Sequence, residues 1–387
     1  MGTRASNALL DRVREIQFEG ERTRRGSNTV GLVNDTDLAQ RAPADPPTEM
    51  SPDVAVEPDF MAETDRYRRE LFAHCYRMLG SAHDAEDLVQ ETYLRAWRAY
   101  RGFEGRSSMR TWLYRIATNV CLTAIESRGR RPLPTGLGAP SSNPDEALVT
   151  DSEVPWLEPV PDDLVGLSES SDPAGVVASR SSVRLALVAA LQHLPARQRA
   201  VLILRDVLKL KAAEVAEMLD TSTAAVNSTL QRAHAQMKQA ALTEDDVAEP
   251  TDPEQRELLD RYARAMERKD INGLVQMFTA DAVWEMPPFT GWYQGPENIG
   301  RVIDNNCPAG PDELVLVPTS ANGQPAFGVY ILEDDGVFRP FQLQVVDFSG
   351  DGIGHVAAFF DLSLFPLFGL PETAEPRTQA AATPDRG

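Results

Sequence analysis

The chain has little cysteine and no long hydrophobic run. Three cysteines occur in 387 residues, Cys75, Cys121 and Cys307, and they form no CxxC pair. This spacing excludes a disulfide framework or a cysteine-rich zinc site and indicates buried thiols. No apolar run approaches the roughly 18 residues that a membrane span needs, and the N-terminus lacks an apolar signal sequence. We therefore predict a cytoplasmic protein without membrane contact, metal or cofactor.

Positive charge is also scarce, and it is unevenly distributed. The formal net charge of -20 argues against a protein that is coated in nucleic acid. Residues 132–178 contain nine acidic residues, eight prolines and no lysine or arginine, whereas residues 61–131 carry 13 basic against 9 acidic residues and residues 179–240 carry 9 against 4. Two short basic segments of this kind suit a phosphate backbone. A charge of +4 or +5 is, however, also ordinary for a small domain.

These shifts in composition divide the chain into units. Segments rich in proline and charge cannot bury enough apolar surface to fold alone. The predicted units are a disordered extension (1–60), a helical domain (61–131), a flexible acidic proline-rich linker (132–178), a helix-turn-helix domain (179–240), an α+β domain (250–371) and a disordered tail (372–387).

The first helical domain has clear capping signals. Gly80 predicts the end of one helix, Ser81 the start of a second, and Ser107 or Ser108 the start of a third. The second helix places Ala85, Leu88, Val89, Thr92 and Ala96 inward. It leaves Asp87, Gln90 and Glu91 pointing outward.

The third helix mixes aromatic and basic residues outside its apolar stripe. These residues are Arg110, Trp112, Tyr114, Arg115 and Asn119. Such a surface suits single-stranded DNA, because aromatic rings stack on unpaired bases while guanidinium groups hold phosphates. A solvated face with Trp112 completing the core edge is the alternative.

Residues 212–238 have the pattern of a helix-turn-helix: a short helix, a tight turn and a second helix capped by Thr221 or Ser222. The second helix buries Val226, Leu230, Ala233 and Met237. Its remaining face offers small and polar side chains that can approach and bond base edges in the major groove, and nearby cations suit phosphates. A purely structural helical hairpin is the alternative. The candidate DNA contacts are Arg197, Lys209, Lys211, Ser222, Thr223, Ala224, Ala225, Asn227, Ser228, Gln231 and Arg232.

The last 140 residues combine helical patterns with short β runs and predict an α+β domain with a curved antiparallel sheet. Ser349 to Gly352 form a strong hairpin-turn signal. His355 and Asp361 lie six residues apart on a predicted strand, so one face is expected to carry both as a candidate general base. A plain hydrogen-bonded pair is the favoured alternative, because no complete catalytic set is visible. The candidate ligand pocket comprises Trp284, Trp292, Tyr293, Gln342, Gln344, His355 and Asp361.

Three stretches carry a resemblance to a known family. They are DAEDLVQET (84–92), SSMRTWLYRIATN (107–119) and LPARQRAVLILRDVLKLKAAEVAEMLDTSTAAVNSTLQRA (194–233). In order and spacing they resemble the two domains of an extracytoplasmic-function (ECF) sigma factor. With WLEP in the linker and GWYQGP and FGLP near the end, the chain is similar to the actinobacterial sigma factor G type, which carries a polyketide-cyclase-like (SnoaL-like) C-terminal domain. The resemblance spans about residues 66–371.

The resemblance implies a fold and a set of partners. The expected fold is multidomain, with two all-α sigma domains and a C-terminal α+β cone-shaped sheet. Asp87, Gln90 and Glu91 would dock on the clamp helices of the largest RNA polymerase subunit. Arg110, Trp112, Arg115 and Asn119 would open and read the -10 promoter element, and the helix beginning near Ser222 would read the -35 element. The linker would run through the polymerase.

The overall prediction is therefore a promoter-specificity subunit of RNA polymerase without catalysis of its own, modulated by its C-terminal domain through intramolecular contact or a small ligand. Two rivals remain at this stage. One is a stand-alone helix-turn-helix regulator, and the other is a bifunctional protein whose C-terminal domain is an isomerase or cyclase.

Overall fold

A computed structural model describes residues 58–127, 129–151, 153–166, 181–239 and 253–376. We call these parts the N-terminal module (58–127), the connecting segment (129–151 and 153–166), the helix-turn-helix module (181–239) and the C-terminal domain (253–376). Most of the predicted N-terminal extension, and the predicted tail beyond residue 376, lie outside the described residues. No helix in the described ranges is long and apolar enough to cross a bilayer.

The N-terminal module consists of four helices: α1 Pro58–Thr64, α2 Arg68–Leu79, α3 Ala82–Ala99 and α4 Met109–Ser127. Their ends follow the predicted caps. Gly80 ends α2 in the left-handed region at φ 71°, and a Cβ there would lie 2.6 Å from Leu157 Cδ1. Ser81 Oγ accepts a hydrogen bond from the amide of Asp84 (3.1 Å), and Ser108 Oγ accepts one from Thr111 (3.1 Å). The predicted inward face of α3 is buried.

Both predicted disordered ends are ordered at their inner boundaries. Phe60 is 1% exposed, and its ring packs edge-on against Tyr93 and Tyr100. At the other end, the amide of Ala374 donates to the carbonyl of Phe338 at 3.1 Å. The predictions of disorder for residues 58–60 and 372–376 were therefore wrong. The first segment is anchored by the apolar side chain of Phe60, and the second by a backbone hydrogen bond to Phe338.

The helix-turn-helix module contains α5 Leu185–Gln192, α6 Ala196–Leu202, α7 Ala212–Met218 and α8 Thr223–Gln239. Pro195 directly precedes α6, and a π-helical stretch, Ile203–Val207, extends it. Ser222 Oγ caps α8 by accepting from the amide of Ala225 at 3.1 Å. Val226 and Ala233 are buried, and α8 packs against α6 through this face.

The C-terminal domain is built on a six-stranded sheet in the order β2-β1-β6-β5-β4-β3. Its elements are α9 Pro253–Glu267, α10 Ile271–Val275, β1 Phe278–Glu285, β2 Trp292–Gln294, α11 Pro296–Asn306, β3 Leu314–Ala321, β4 Gln324–Leu332, β5 Phe338–Ser349, β6 Gly352–Phe359 and α12 Leu364–Leu367. The β5–β6 hairpin turns at the predicted position, where Ser349 pairs with Gly352.

The sheet is mixed rather than antiparallel as predicted. β1 and β6 run parallel, and every other neighbouring pair is antiparallel. Parallel neighbours need a long crossover, and here α11 carries the chain to the far edge before β3 to β6 return as a meander. Sequence periodicity reports each strand but not which strand becomes its neighbour.

Both faces of this sheet are buried. On the inner face Trp284, Val346, Val356 and Ala358 belong to a core shared with α9, α10 and α11. On the outer face lie Leu343, Val345, Ala357 and Phe359, which belong to the same core as the buried side chains of the two helical modules. The C-terminal domain therefore docks on the helical modules through part of the outer face of its sheet, while Phe365 of α12 covers Val315, Tyr330 and Phe338 on the same face.

The connecting segment is packed where we predicted a flexible linker. Ser142 donates its amide to the carbonyl of Trp292 (2.7 Å), and Thr290 donates to Val149 (2.8 Å), so the segment follows the edge of β2. Its few apolar residues enter existing cores instead of forming their own: Leu133, Leu148, Leu157, Val160 and Val165 are buried. The prediction was wrong for residues 132–151 and 153–166, and residues 167–178 lie outside the described ranges.

The two helical modules also touch directly. Arg199 in the middle of α6 is 4% exposed, and its guanidinium donates to Met78 O at the end of α2. Within its own module the same guanidinium donates to Gln192 Oε1 at 2.7 Å. Arg77 of α2 donates from Nε to the carbonyl of Ser182 (3.1 Å). These buried contacts join the modules into one body, which the sequence did not predict.

Candidate functional site

The outer side of α3 carries a polar ridge, which we call the α3 ridge: Asp87, Gln90 and Glu91. Asp87 and Gln90 are exposed and Glu91 is partly exposed, while Ala85 and Val89 on the opposite side are fully buried. Glu91 pairs with Arg95 one turn later (Oε1 to Nε, 2.6 Å). The ridge is a solvent-facing acidic surface, as the sequence predicts, and no other unit of the described chain buries it.

The predicted DNA-melting residues lie along α4, and we call them the α4 patch: Arg110, Trp112, Arg115 and Asn119. Arg115 and Asn119 are exposed. The ring of Trp112 lies 4.8 Å from that of Phe103 in the preceding loop and is partly exposed. An exposed guanidinium, an amide and a partly open aromatic surface stand side by side, which is the chemistry that an unpaired base and its phosphate need.

Tyr114 and Arg110 differ from the prediction in part. Tyr114 is 1% exposed, so its ring belongs to the core and not to the outer surface. Arg110 lies over that ring and donates from Nε to Glu70 Oε2 at 2.6 Å, and Tyr114 donates its hydroxyl to the same oxygen at 3.2 Å. Arg110 therefore braces α4 against α2 as well as bordering the patch. Helical periodicity misses this because the Tyr114 position lies at the edge of the apolar stripe.

The outer side of α8 forms a recognition face. Thr223, Asn227, Ser228, Gln231 and Arg232 are exposed, and Ala225 is half-buried. Arg232 donates to Thr229 Oγ1 at 3.0 Å, which directs it along the helix. Arg197, Lys209 and Lys211 are exposed on the neighbouring elements, with Lys209 in the left-handed region at φ 55°. The polar groups of α8 and the three cations on the neighbouring elements are therefore all open to solvent.

The predicted ligand pocket is divided between the two faces of the sheet. Trp284, Gln342 and Gln344 lie on the inner face and are buried. Tyr262 of α9 donates its hydroxyl to Gln344 Oε1 at 2.8 Å. Trp284 Nε1, Gln342 Oε1 and Gln344 Nε2 have no hydrogen-bond partner within the described part of the chain. The inner face thus holds three buried polar atoms ready to bond.

His355 and Trp292 lie on the outer face, because His355 pairs with Asp347 and Trp292 pairs with Glu285 in the strand register. Trp292 Nε1 donates to the carbonyl of Ala139 at 2.9 Å. His355 Nε2 contacts Glu285 Oε1 at 2.7 Å, and the amide of Thr135 donates to Glu285 Oε2 at 3.0 Å. Grouping these residues in the pocket was wrong, since strand alternation separates them from Trp284.

Burial by itself lowers the pKa of His355, but the hydrogen bond to Glu285 and the charges of Glu285 and Asp347 outweigh it and raise the pKa above its usual value. Asp347 in turn is ion-paired with Arg184, which precedes α5. The connecting segment therefore contacts Glu285 at one end of this group, and the helix-turn-helix module contacts Asp347 at the other.

Asp361 does not join His355. β6 ends at Phe359, and Asp361 lies in the following turn, where Oδ1 accepts from the amide (3.0 Å) and hydroxyl (2.6 Å) of Ser363. The predicted His-Asp pair was wrong because the strand ends at Phe359, two residues before Asp361. The Asp361 carboxylate therefore does not lie beside the His355 imidazole.

Glu158, of the WLEP stretch, fixes the connecting segment to the N-terminal module. Its Oε2 accepts from Ser81 Oγ (2.8 Å), from the amide of Ala82 (3.1 Å) and from His83 Nδ1 (3.0 Å), at the N-terminus of α3. Burial alone raises the pKa of Glu158, but these hydrogen bonds and the charge of Arg131 lower it to about 2. The carboxylate is thus held ionised beside the positive end of the helix that bears the α3 ridge.

Family models match three parts of the chain. The Sigma-70 region 2 model matches residues 64–131, the Sigma-70 region 4 model matches residues 184–237, and the SnoaL-like domain model matches residues 254–319. Over 317 residues the chain is 58% identical to the ECF RNA polymerase sigma factor SigG of Mycobacterium tuberculosis, covering 81% of this chain and 85% of that protein. The chain belongs to the ECF sigma factors.

Two further comparisons agree with this assignment. This sigma factor is 30% identical over 252 residues to SigJ of M. tuberculosis, covering 63% of the chain and 72% of SigJ. The crystal structure of SigJ has the same fold, with a TM-score of 0.53 at 21% identity, and covers 80% of this chain and all of that one. The predicted family, the two helical sigma domains and the fused SnoaL-like domain are therefore confirmed.

Sequence reasoning missed the residues that join the units of this sigma factor, notably Glu158, Glu285, Asn322 and Gln324. All except Glu158 are nearly inaccessible to solvent, at 1%, 0% and 3% exposure for Glu285, Asn322 and Gln324. One local signal was available, because Asn322-Gly323 between two β runs is a tight-turn dipeptide. A turn signal predicts the hairpin but not the surface on which its tip lies.

Proposed function

We propose that this sigma factor binds core RNA polymerase through the α3 ridge, docking Asp87, Gln90 and Glu91 on the clamp helices of the largest subunit. The exposure of all three on one side of α3, with an apolar opposite side, supports this role. Because Glu158 caps the same helix, the ridge is held on a rigid base. The protein acts in the cytoplasm, where its polymerase is.

The α4 patch reads and helps to melt the -10 element. Trp112 offers a partly open ring for a base, while Arg115 and Asn119 offer exposed donors for phosphate and base edges. Arg110 positions the helix through Glu70 and borders the same surface. A patch built on one 19-residue helix presents these groups at fixed spacing.

The recognition face of α8 reads the -35 element in the major groove. Asn227, Gln231 and Arg232 can bond base edges, and Ala225 allows close approach of the backbone. Ser222, Thr223 and Ser228 bond phosphates or bases near the helix N-terminus. Arg197 supplies a phosphate contact from α6.

The C-terminal domain regulates this sigma factor and performs no catalysis of its own. Its outer face is covered by the helical modules, the connecting segment and α12, and Asp361 and His355, the predicted acid-base pair, lie apart. Trp284, Gln342 and Gln344 leave polar atoms without partners on the inner face, so this is where a small regulatory ligand would bind. One observation carries the proposal. The α3 ridge, the α4 patch and the recognition face of α8 are open to solvent on two modules that match the sigma-factor models.

Polymerase binding tests the proposal. Asp87→Arg with Glu91→Arg should weaken capture of the full chain by core polymerase about tenfold or more, since reversed charges at a docking site cost several kcal/mol. Glu297→Arg with Asp304→Arg makes the same change of charge on the exposed side of α11 and serves as the control. Equal capture of both double variants and the wild type would remove the α3 ridge from the interface.

A further inference from the structure

The tip of the β3–β4 hairpin lies in a socket made by the other three units. We propose that this tip, Asn322-Gly323, is a clasp that holds the two helical modules at a spacing too short for both promoter elements, without covering either DNA-facing surface. The inference rests on the proposed function for its biological meaning. The existence of the clasp is argued only from contacts within the chain.

Asn322 uses its backbone amide and both polar atoms of its side chain. Its amide donates to the carbonyl of Val160 at 2.9 Å, and its Oδ1 accepts from the amide of Val160 at 2.9 Å. Its Nδ2 donates to Tyr76 Oη and to the carbonyl of Val183, both at 2.7 Å. One fully buried side chain thereby bonds α2, the connecting segment and the start of the helix-turn-helix module.

The neighbours of Asn322 extend the same contact. The amide of Gly323 donates to Asp162 Oδ1 at 2.7 Å, and Gln324 Oε1 accepts from the amide of Leu185 at 2.9 Å. Leu185 is the first residue of α5, whose amide would otherwise lack a partner. Tyr76 donates its hydroxyl to the carbonyl of Glu158 at 2.8 Å, so the socket continues into the site that caps α3.

The residue types suit this task. Asn322 and Gly323 both have left-handed backbone, at φ 59° and 70°. Asparagine tolerates this conformation and carries both donor and acceptor, and glycine is the residue with least strain there. Most other side chains at position 322 would either strain the turn or leave Val160 and Val183 with unpaired backbone groups in a dry interior.

The clasped arrangement sets the distance between the DNA-facing helices. α6 packs against both α4 and α8. Because packed helices lie about 8–10 Å apart, the axes of α4 and α8 come within roughly 20 Å. Promoter elements centred at -10 and -35 are separated by about 25 base pairs, or roughly 85 Å of duplex. The clasped chain therefore reaches one element at a time.

Nothing in the described chain masks either surface. Arg115 and Asn119 on α4 and Asn227 and Gln231 on α8 are all exposed while the clasp is closed. Regulation by spacing differs from regulation by masking in one measurable way. Opening the clasp separates the modules but leaves the affinity of the recognition face for its own element unchanged.

Two variants of the full chain open the clasp. Asn322→Asp keeps the shape and the left-handed backbone but replaces the donor by a carboxylate facing the carbonyl of Val183, and Asn322→Gly removes the side chain. Asp312→Gly, an exposed left-handed residue before β3, is the matched control. Donor and acceptor dyes at Ala99→Cys and Ala235→Cys, with Cys307→Ser, report the distance between modules by energy transfer during urea titration.

The clasp predicts that both Asn322 variants lose energy transfer at lower urea than Asp312→Gly, with the closed-to-open ratio falling about ten- to hundredfold. Circular dichroism should show that the helices persist across this transition. Coincident loss of energy transfer and helicity, or an unchanged transition, would overturn the clasp. This readout needs neither polymerase nor DNA, so it stays readable if the proposed function fails.

Spacing and masking are separated by a duplex that carries one element. A short duplex selected from a random library on the wild-type chain should bind both Asn322 variants with affinity within about twofold of the wild type. Run-off transcription from genomic fragments with core polymerase should rise in the same variants. A gain in affinity for the single-element duplex, or failure of the wild type to select one, would overturn regulation by spacing.

Discussion

The two faces of the C-terminal sheet both bury apolar side chains, but these side chains pack against different parts of the chain. Val346 and Leu343 stand three residues apart on β5, and both are fully buried. Val346 packs within the domain against its own helices, whereas Leu343 packs against the two helical modules. Antiparallel sheets commonly leave one face to water. Here the second face is covered by the helical modules and, in part, by α12 of the same domain, so much of this face is a docking surface.

The polar groups differ in the same way. On the outer face Glu285, His355 and Asp347 are paired with one another, with the connecting segment and with Arg184. On the inner face Trp284, Gln342 and Gln344 each keep an atom without a partner within the described chain. The outer face is therefore complete as an interface, while the inner face retains unused hydrogen-bonding capacity, as a binding site does.

The largest effect is expected from one aspartate placed on either face. Val346→Asp buries an unpaired carboxylate within the domain, at a cost of about 3–5 kcal/mol, and should unfold all six strands. Leu343→Asp should leave the domain folded but separate it from the modules, because the charge is relieved by undocking. Hydrogen exchange checks this: Val346→Asp loses protection through β1 to β6, and Leu343→Asp loses it at residues 157–162 and 185–191.

The pair serves as its own control, since chemistry, strand and burial are matched. Equal loss of protection across the sheet in both variants would show that the domain has no stability apart from the modules. The comparison of the two faces would then describe one core rather than two.

The sequence was sufficient to predict those features that depend on the spacing of residues close together in the chain. The α3 ridge, the recognition face and the caps at Ser81 and Ser222 follow from a 3.6-residue period and a few hydroxyl side chains. The contacts that Asn322, Arg199 and Glu158 make to the N-terminal module span more than 70 residues and depend on which surfaces meet, so no local pattern encodes them. The prediction that His355 and Asp361 share one face was wrong for a local reason. The strand ends at Phe359, so the alternation of faces does not extend to Asp361.

The second prediction concerns the charges of the outer face. A histidine whose pKa is raised by folding stabilises the folded form fully below its unfolded pKa of about 6.5, and this contribution is lost as pH rises through the folded pKa. The folded chain should therefore be less stable at pH 9 than at pH 6, as measured by the midpoint of urea denaturation.

Glu285→Gln is the control, because it removes the carboxylate that raises the pKa of His355 and keeps an acceptor for the amide of Thr135. The difference in urea midpoint between the two pH values should shrink in this variant. The same pH difference in both proteins would assign the effect to other groups, of which Asp347 and Arg184 are nearest in the strand register and ion pairs.

The smallest effect is expected on the inner face. Gln342→Met keeps the length of the side chain and removes an amide whose Oε1 has no partner within the described residues. Replacing an unsatisfied buried amide by an apolar isostere should change the free energy of unfolding by less than about 1 kcal/mol, or raise it, because no hydrogen bond is lost and one desolvated group is removed. Urea denaturation of the full chain, followed by tryptophan fluorescence, measures the change.

Val346→Ala is a suitable comparison on the same strand and face, since it removes only packing and should destabilise by about 1–3 kcal/mol. If Gln342→Met destabilises as much as Val346→Ala, the amide of Gln342 has a bonding partner in solution. The inner face would then be satisfied as fully as the outer one. A neutral or stabilising result instead means that the inner face keeps polar groups at a cost to stability, which is expected of a surface that is reserved for a ligand.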